Sequence, residues 1–318
     1  MARLGKIFTR TRTRTAPTLA LLFALSFASV VAAELAYTGP RDMGEMGAPP
    51  RSETSGLAIS RRNPDMLWTH DDSGGAAALY AVGTDGRARG TLQIGGVTNE
   101  DWEDIASAEL DGKPWLLIGD IGDNDAKRKS ILVHFVPEPA AEELAGAKQI
   151  AERPTATFRL TYEDGPRDCE SLAIDPTERA LYLLTKREDV PRLYRAELPA
   201  GPLKSADLKL RFVGFVPHIP APTALEAAIK GRLGKQRRRP CAMDFAADGS
   251  AAVVLTYGDT LLFPRKGKEP WAETLAREPI ALSQHGLPQA EGACFSKDGS
   301  AIYVASEIMT TLLRYDRK

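Results

Sequence analysis

Cysteine is scarce in this chain: three residues in 318, Cys169, Cys241 and Cys294. An odd number cannot all pair, and a chain of this length needs no disulfide framework to hold a core. A Cys241–Cys294 bridge is conceivable, because both lie on equivalent strands of what read as neighbouring repeats. Buried free thiols are the simpler expectation. Histidine is equally sparse, and His70, His134, His218 and His285 are scattered with no zinc-ligand spacing among them. After the N-terminus no stretch approaches the 18 apolar residues of a membrane span, which excludes a further transmembrane helix. There is no EF-hand loop, with acids at alternate positions and a following Gly. Ser73 sits in no nucleophile elbow and has no triad pattern around it. No flexible linker divides the chain.

What is present begins with a leader. Arg3, Lys6, Arg10, Arg12 and Arg14 make a basic start, Thr18 to Val31 an apolar run, and Val31-Ala32-Ala33 a small-residue cleavage site. That layout predicts a secretory signal peptide over residues 1–33 and a periplasmic or secreted product. Without the leader, 36 basic residues face 42 acidic ones, so the formal net charge moves from −1 to −6. A mildly acidic exported domain argues against a general nucleic-acid binder and suits a hard cation. Residues 34–318 are expected to form one domain, a monomer facing a small anionic ligand or an envelope component.

Within that domain a short apolar strand with one signature opens five times: SGLAIS at Ser55, EDIASA at Glu103, ESLAID at Glu170, CAMDFA at Cys241 and EGACFS at Glu291. Roughly 15 to 17 residues later a polar cluster closes a second strand: His70-Asp71-Asp72, Asp120, Lys186-Arg187-Glu188, Tyr257 to Asp259, and Glu307. Third strands follow at 79–82, 131–136, 192–198, 261–264 and 312–316. DG pairs at Asp85, Asp111, Asp248 and Asp298 mark hairpin turns between alternating segments. A period of about 50 residues built from short strands predicts an all-β propeller, one repeat per blade. The strand count gives five blades, at about 54–95, 101–164, 168–217, 240–282 and from 290. Six are possible if the long third spacing hides a degenerate one. The last blade lacks an outer strand, and Glu34 to Gly39 is the natural donor that would close the ring. Between blades three and four, residues 217–240 carry Leu225, Ala228, Ile229 and Leu233 at helical spacing, then a basic run from Lys235 to Arg239. This reads as a helical insertion, either a solvated loop or a cationic lid over an anionic ligand.

In a propeller the innermost strand of each blade begins on the face where the second strand ends. Ser55, Glu103, Glu170, Cys241 and Glu291 would therefore converge at one end of the axis, together with the polar clusters. Three carboxylates in a small volume repel one another unless protonated or bridged, and a divalent cation resolves this. Calcium accepts six to eight oxygen ligands in irregular geometry, which matches donors drawn from several segments. The alternative is that the glutamates bond backbone amides of neighbouring blades and hold the ring together. His70, Asp71, Asp72, Asp120, Lys186 and Arg187 end second strands on the same face. They are the candidates for acid–base work, water positioning and phosphate recognition. Each also has a plain structural reading, as an Asx turn or a salt bridge. Trp68 and Trp102 read as packing between blades.

The order Ser, Glu, Glu, small residue, Glu resembles that of the calcium-dependent nucleotidases, the apyrases. The resemblance implies a five-bladed propeller with calcium on the axis and Ser55, Glu103, Glu170 and Glu291 on the calcium side. Cys241 departs from it, since a serine is expected and a thiol is a poor calcium ligand. The SGLA opening, the LWTHDDSGG strand and the GDIGDN turn are also similar to secreted bacterial propellers of the esterase-like phytase and quorum-regulator-regulated groups. These likenesses imply hydrolysis of a phosphate ester or phosphoanhydride. The rival is a non-catalytic propeller presenting this face to a carbohydrate, peptide or envelope partner.

Overall fold

A computed structural model describes residues 1–2, 35–47, 53–146, 150–229 and 234–318. The expected leader, Glu34 and Leu233 lie outside the described residues, apart from Met1 and Ala2. Leu35–Lys318 forms one compact unit. Its strands are β1 (Arg41–Glu45), β2 (Thr54–Ile59), β3 (Met66–Asp71), β4 (Ala78–Gly83), β5 (Ala88–Ile94), β6 (Trp102–Leu110) and β7 (Lys113–Asp120). They continue with β8 (Ile131–Pro137), β9 (Ile150–Glu152), β10 (Ala156–Tyr162), β11 (Cys169–Asp175), β12 (Ala180–Thr185), β13 (Arg192–Glu197) and β14 (Ala206–Phe215). The last are β15 (Pro240–Phe245), β16 (Ala251–Thr256), β17 (Thr260–Pro264), β18 (Ile280–Ala281), β19 (Ala290–Phe295), β20 (Ala301–Ser306) and β21 (Thr311–Asp316).

These group into five four-stranded antiparallel units: β2-β3-β4-β5, β6-β7-β8-β10, β11-β12-β13-β14, β15-β16-β17-β18 and β19-β20-β21-β1. Short β9 adds in parallel to the outer edge of the first unit, and β10 meets β14 in parallel across the second and third. The first strand of each unit packs on the next, β2 on β6, β6 on β11, β11 on β15, β15 on β19, and β19 back on β2. That closed ring is the β-propeller. It follows from the sequence pattern: inner strands carry small and aliphatic residues on both sides, so every residue of β2, β11, β15 and β19 is buried. Hairpins are set by the expected turns. Asp111 and Gly112 both have positive φ, 53° and 72°, and join β6 to β7 as the two-residue loop that matches strand twist.

Apolar contacts between units are fastened by buried carboxylates. Glu138 accepts from the indole Nε1 of Trp68 at 2.9 Å and from the amides of Arg61 and Arg62 at 3.0 and 3.1 Å, with Ser60 Oγ also bonded. Asp104 Oδ2 accepts from Leu172 N at 2.8 Å and Met243 N at 3.4 Å, joining units two, three and four. Asp244 accepts from Phe295 N at 2.9 Å, joining units four and five. Amide bonding between units, weighed above for the motif glutamates, is therefore performed by these aspartates one to three positions further along.

One expectation needs correction. The outer strand of the last unit is indeed supplied from the N-terminal side, but it is β1, paired Arg41 with Arg314 and Asp42 with Leu313, rather than residues 34–39. The earlier residues contribute the Tyr37–Arg317 bridge and a 2.8 Å bond from Thr38 N to Asp316 O. In the 217–240 segment the helix, here α1, spans only Ala224–Ala227 and has no buried residue. Leu225 and Ile229 are exposed, so their helical spacing marks no core-facing stripe. The basic run folds as a 3-10 turn, Lys235–Arg238, with Arg237 buried against Glu226 and Asp259. All three cysteines are buried and free, so Cys241 and Cys294 do not pair.

Candidate functional site

One irregularity repeats in all five units. Each inner strand slips register against its neighbour at the motif residue: between Ser55 and Ala58, Trp102 and Asp104, Cys169 and Leu172, Pro240 and Ala242, and Ala290 and Gly292. A bulge re-aims the extra side chain away from the alternation of the strand. Glu103, Glu170, Cys241 and Glu291 occupy those extra positions.

The motif residues do not all serve one centre. Glu103 and Glu291 face a common volume, each grouped with Asp72: oxygens of Asp72, Asp101 and Glu103 lie within 4.8 Å of one another, as do those of Asp72, Glu291 and Glu307. Asp72 is thus shared by two carboxylate triads. Glu103 is 4% exposed, and its carboxylate receives no hydrogen bond from any described residue. Burial, then the charge of Asp72, raises its pKa well above the usual range, with Asp101 and Glu291 adding to the repulsion and Lys186 opposing it. Asp101 is pushed up to about 6 by burial and Asp72, against the pull of Arg128. Gly122 makes this crowding possible, since a Cβ there would collide with the carboxylates of Asp101 and Glu103. Glu291 accepts from Tyr257 Oη at 3.0 Å, and Glu307 is bonded by Gln289.

Glu170 is engaged elsewhere. It forms a buried ion pair with Lys186, whose ammonium also lies 5.1 Å from the centre of the Tyr257 ring. Ser55 Oγ donates to the backbone oxygen of Glu103 at 2.6 Å, holding the first two inner strands together. Cys241 Sγ lies 3.2 Å from the carbonyl of Arg239. Of the five expected cation ligands, the structure brings only Glu103 and Glu291 into the carboxylate centre.

The six expected catalytic residues also separate. Asp72 lies in the centre. His70 is fully buried, its Nδ1 2.8 Å from the Asp71 carbonyl and its ring edge-on to Trp102. Burial lowers its pKa, against the opposing pull of the Asp71 carbonyl and the charge of Asp72. Asp71 accepts from Tyr80 Oη at 3.1 Å, and burial pushes it up to about 6. Asp120 is buried and paired with Arg128 at 2.8 Å. In the following turn Asp123 accepts from the amides of Lys127 and Arg128, each at 2.8 Å, four and five residues on, and so holds the loop closed. Lys186 belongs to Glu170. Arg187 bonds Asp168 and Asn124 and is partly exposed. Beside it stands Arg239, whose pKa is lowered first by burial and then by the charge of Arg187.

Sequence reasoning missed Asp101, Glu307 and Arg239 as site members. Asp101 precedes β6, and the bulge at Glu103 breaks the alternation, so no strand period pointed to it. Glu307 ends a second strand at the repeat position of Asp72. Arg239 sat inside a run that carried no mark separating it from the other cations.

The surrounding face is uneven. Among the described residues the exposed large apolar side chains other than Met1 are Val190, Phe215, Leu225, Ile229, Ile308 and Met309. All six ride on strand ends or connections at this same mouth. No described helix is long and apolar enough to cross a membrane.

No family model matches the chain, and no curated protein matches it. Among solved structures the chain is similar to a gluconolactonase of Xanthomonas campestris, with 12% identity over 91% of this chain and 93% of the other, TM-score 0.46. It is also similar to hydrazine synthase of Kuenenia stuttgartiensis, with 9% identity over 83% of each chain, TM-score 0.41.

Proposed function

We propose that this is an exported propeller whose carboxylate mouth holds calcium and hydrolyses a phosphate ester or phosphoanhydride. The observation that carries the reading is the buried Glu103 carboxylate, grouped with Asp101 and Asp72, the last of which it shares with the Glu291–Glu307 pair. Only hard oxygen donors meet there, as calcium requires, and neither a thiol nor an imidazole takes part. Asp72, Asp101, Glu103, Glu291 and Glu307 would hold the ion. When bound, it would supply the positive charge that both the crowded carboxylates and a phosphoryl oxygen need.

The protein's own part is recognition. Arg187 and Arg239 place two guanidinium groups side by side next to Asp168, suited to orient phosphoryl oxygens. With His70 sealed inside, positioning of the attacking water falls to Asp72, the half-buried member shared by both triads. A panel of nucleotides, phytate and simple phosphate esters, assayed with calcium and then with chelator, tests the reading. Arg187→Ala is expected to cut turnover by at least about tenfold, roughly 1.4 kcal/mol of transition-state stabilisation, while leaving calcium-dependent stability intact.

A second reading is favoured by the six exposed apolar side chains on the same mouth. A propeller that presents this face to an envelope partner would display such a rim. Calcium-dependent stabilisation without hydrolysis of any phosphate compound would select it.

A further inference from the structure

The inner strands end on the face opposite the carboxylate mouth, and there the ring opens into a cavity of about 540 Å³. Its walls come from the ends of β2, β6, β11 and β15 and from the segment around Trp271. Ala108, Ile174, Phe245, Ala246 and Trp271 give it an apolar side, and Phe245 and Trp271 stack at 3.8 Å between ring centres.

Arg61 lines this cavity with an incomplete set of partners. Its Nε donates to Ser107 O at 3.1 Å and Ser107 Oγ at 3.0 Å, which fixes the guanidinium plane. Its two Nη groups donate to no described residue, and no described carboxylate lies within ion-pair distance. The buried Asp244 carboxylate feels the charge of Arg61 but is bonded to the Phe295 amide. Arg265, by contrast, is used up by Asp175 and Glu178 at 3.2 and 3.0 Å and lies 4.0 Å over the Trp271 ring. A half-buried guanidinium with a fixed plane and a free fork is the group that receives a carboxylate by two parallel bonds. Lys268 and Lys297 add cationic charge at the rim, while Glu109 and Asp248 add anionic charge. That balance disfavours a polyanion.

We infer that this cavity is a second binding site, for a small singly charged carboxylate with an apolar body, held by Arg61 against the Ile174–Phe245 wall. Its volume is in the range of small-molecule sites, roughly 300–1,000 Å³. The site is independent of the carboxylate mouth and of any reaction there.

Calorimetric titration of the full chain with octanoate, its neutral amide and inorganic phosphate tests the inference. Saturable octanoate binding is expected, weakened at least about tenfold by Arg61→Gln, with the amide and phosphate binding more weakly. Ala247→Trp, at an exposed lining position, should block the cavity without touching Arg61 and give a similar loss. Neither change should alter the stability gained from calcium. Octanoate binding that is absent up to about 10 mM, or unchanged by both substitutions, or matched by inorganic phosphate, overturns it.

Discussion

Glu103 holds a carboxylate where burial and three other acids oppose its charge. Replacing it with Gln removes the repulsion and keeps the shape. Without calcium, Glu103→Gln is expected to melt higher than wild type by roughly 2–4 °C for each kcal/mol relieved. The same variant should lose most of the gain that calcium gives wild type, since a ligand stabilises through binding to the folded state. A variant that melts lower without calcium, or keeps the full calcium gain, contradicts the site. Glu170 should behave in the opposite way. Its loss strands the buried Lys186 ammonium, and breaking such a pair costs about 3–5 kcal/mol. Glu170→Gln should therefore destabilise with or without calcium, and Lys186→Met in the same chain should restore much of the loss, measured as a double-mutant cycle. In the sequence these two glutamates were indistinguishable, both first residues of a repeat. The repeat fixes height along the axis but not the partner, and only the third unit ends its second strand on lysine. His70 was misplaced for a related reason. It pairs with Ser55 across β2 and β3, and alternation turns it inward while Asp72, past the end of the strand, reaches the mouth.

At the level of elements, the repeat made the inner, second and third strands legible, because burial on both sides leaves an unmistakable apolar run. The outer strands were harder. β1 reads Arg-Asp-Met-Gly-Glu and is largely exposed, so nothing apolar marks it, and the residues directly after the expected cleavage site stood as the natural donor. What commits β1 is the free edge of β21, which any extended segment of suitable reach would cover. Deleting residues 35–45 is therefore expected to raise light scattering on heating and lower the melting midpoint, whereas deleting residues 35 and 36 should leave both nearly unchanged. The short α1 teaches the converse. Leu225, Ala228 and Ile229 have helical spacing, but no unit of the ring offers a face to receive them, and periodicity without a partner yields one turn. The bulges lay beyond sequence reading, since the extra residue is defined by pairing with a second strand.

Across the whole molecule, acid sensitivity should follow from histidines locked neutral inside the ring. His134 and His285 are each lowered to about 4 by burial. The unfolded chain protonates them near 6.5, so the stability they allow is complete above that pH and is lost as pH falls toward 4. At about 1.4 kcal/mol per pKa unit the loss is roughly 3 kcal/mol for each at full titration. Asp71 and Asp101, raised to about 6, act in the other direction, because the folded state takes up their protons first and gains stability as pH falls through that window. Comparison of wild type with His134→Gln by denaturant unfolding at pH 7.5, 5.5 and 4.5 isolates one contribution. The difference should swing toward the variant as pH falls, by up to about 3 kcal/mol. The ring also has a closed centre. Asp104 reaches from the second unit to amides of the third and fourth, and β6 and β15, not neighbours in the ring, come together there. The axis is thus a partition and not a passage. Whatever enters the carboxylate mouth must leave by the same door; under the proposed hydrolysis a product that lingers there would shut out the next substrate, and a ligand in the Arg61 cavity would neither relieve nor delay it.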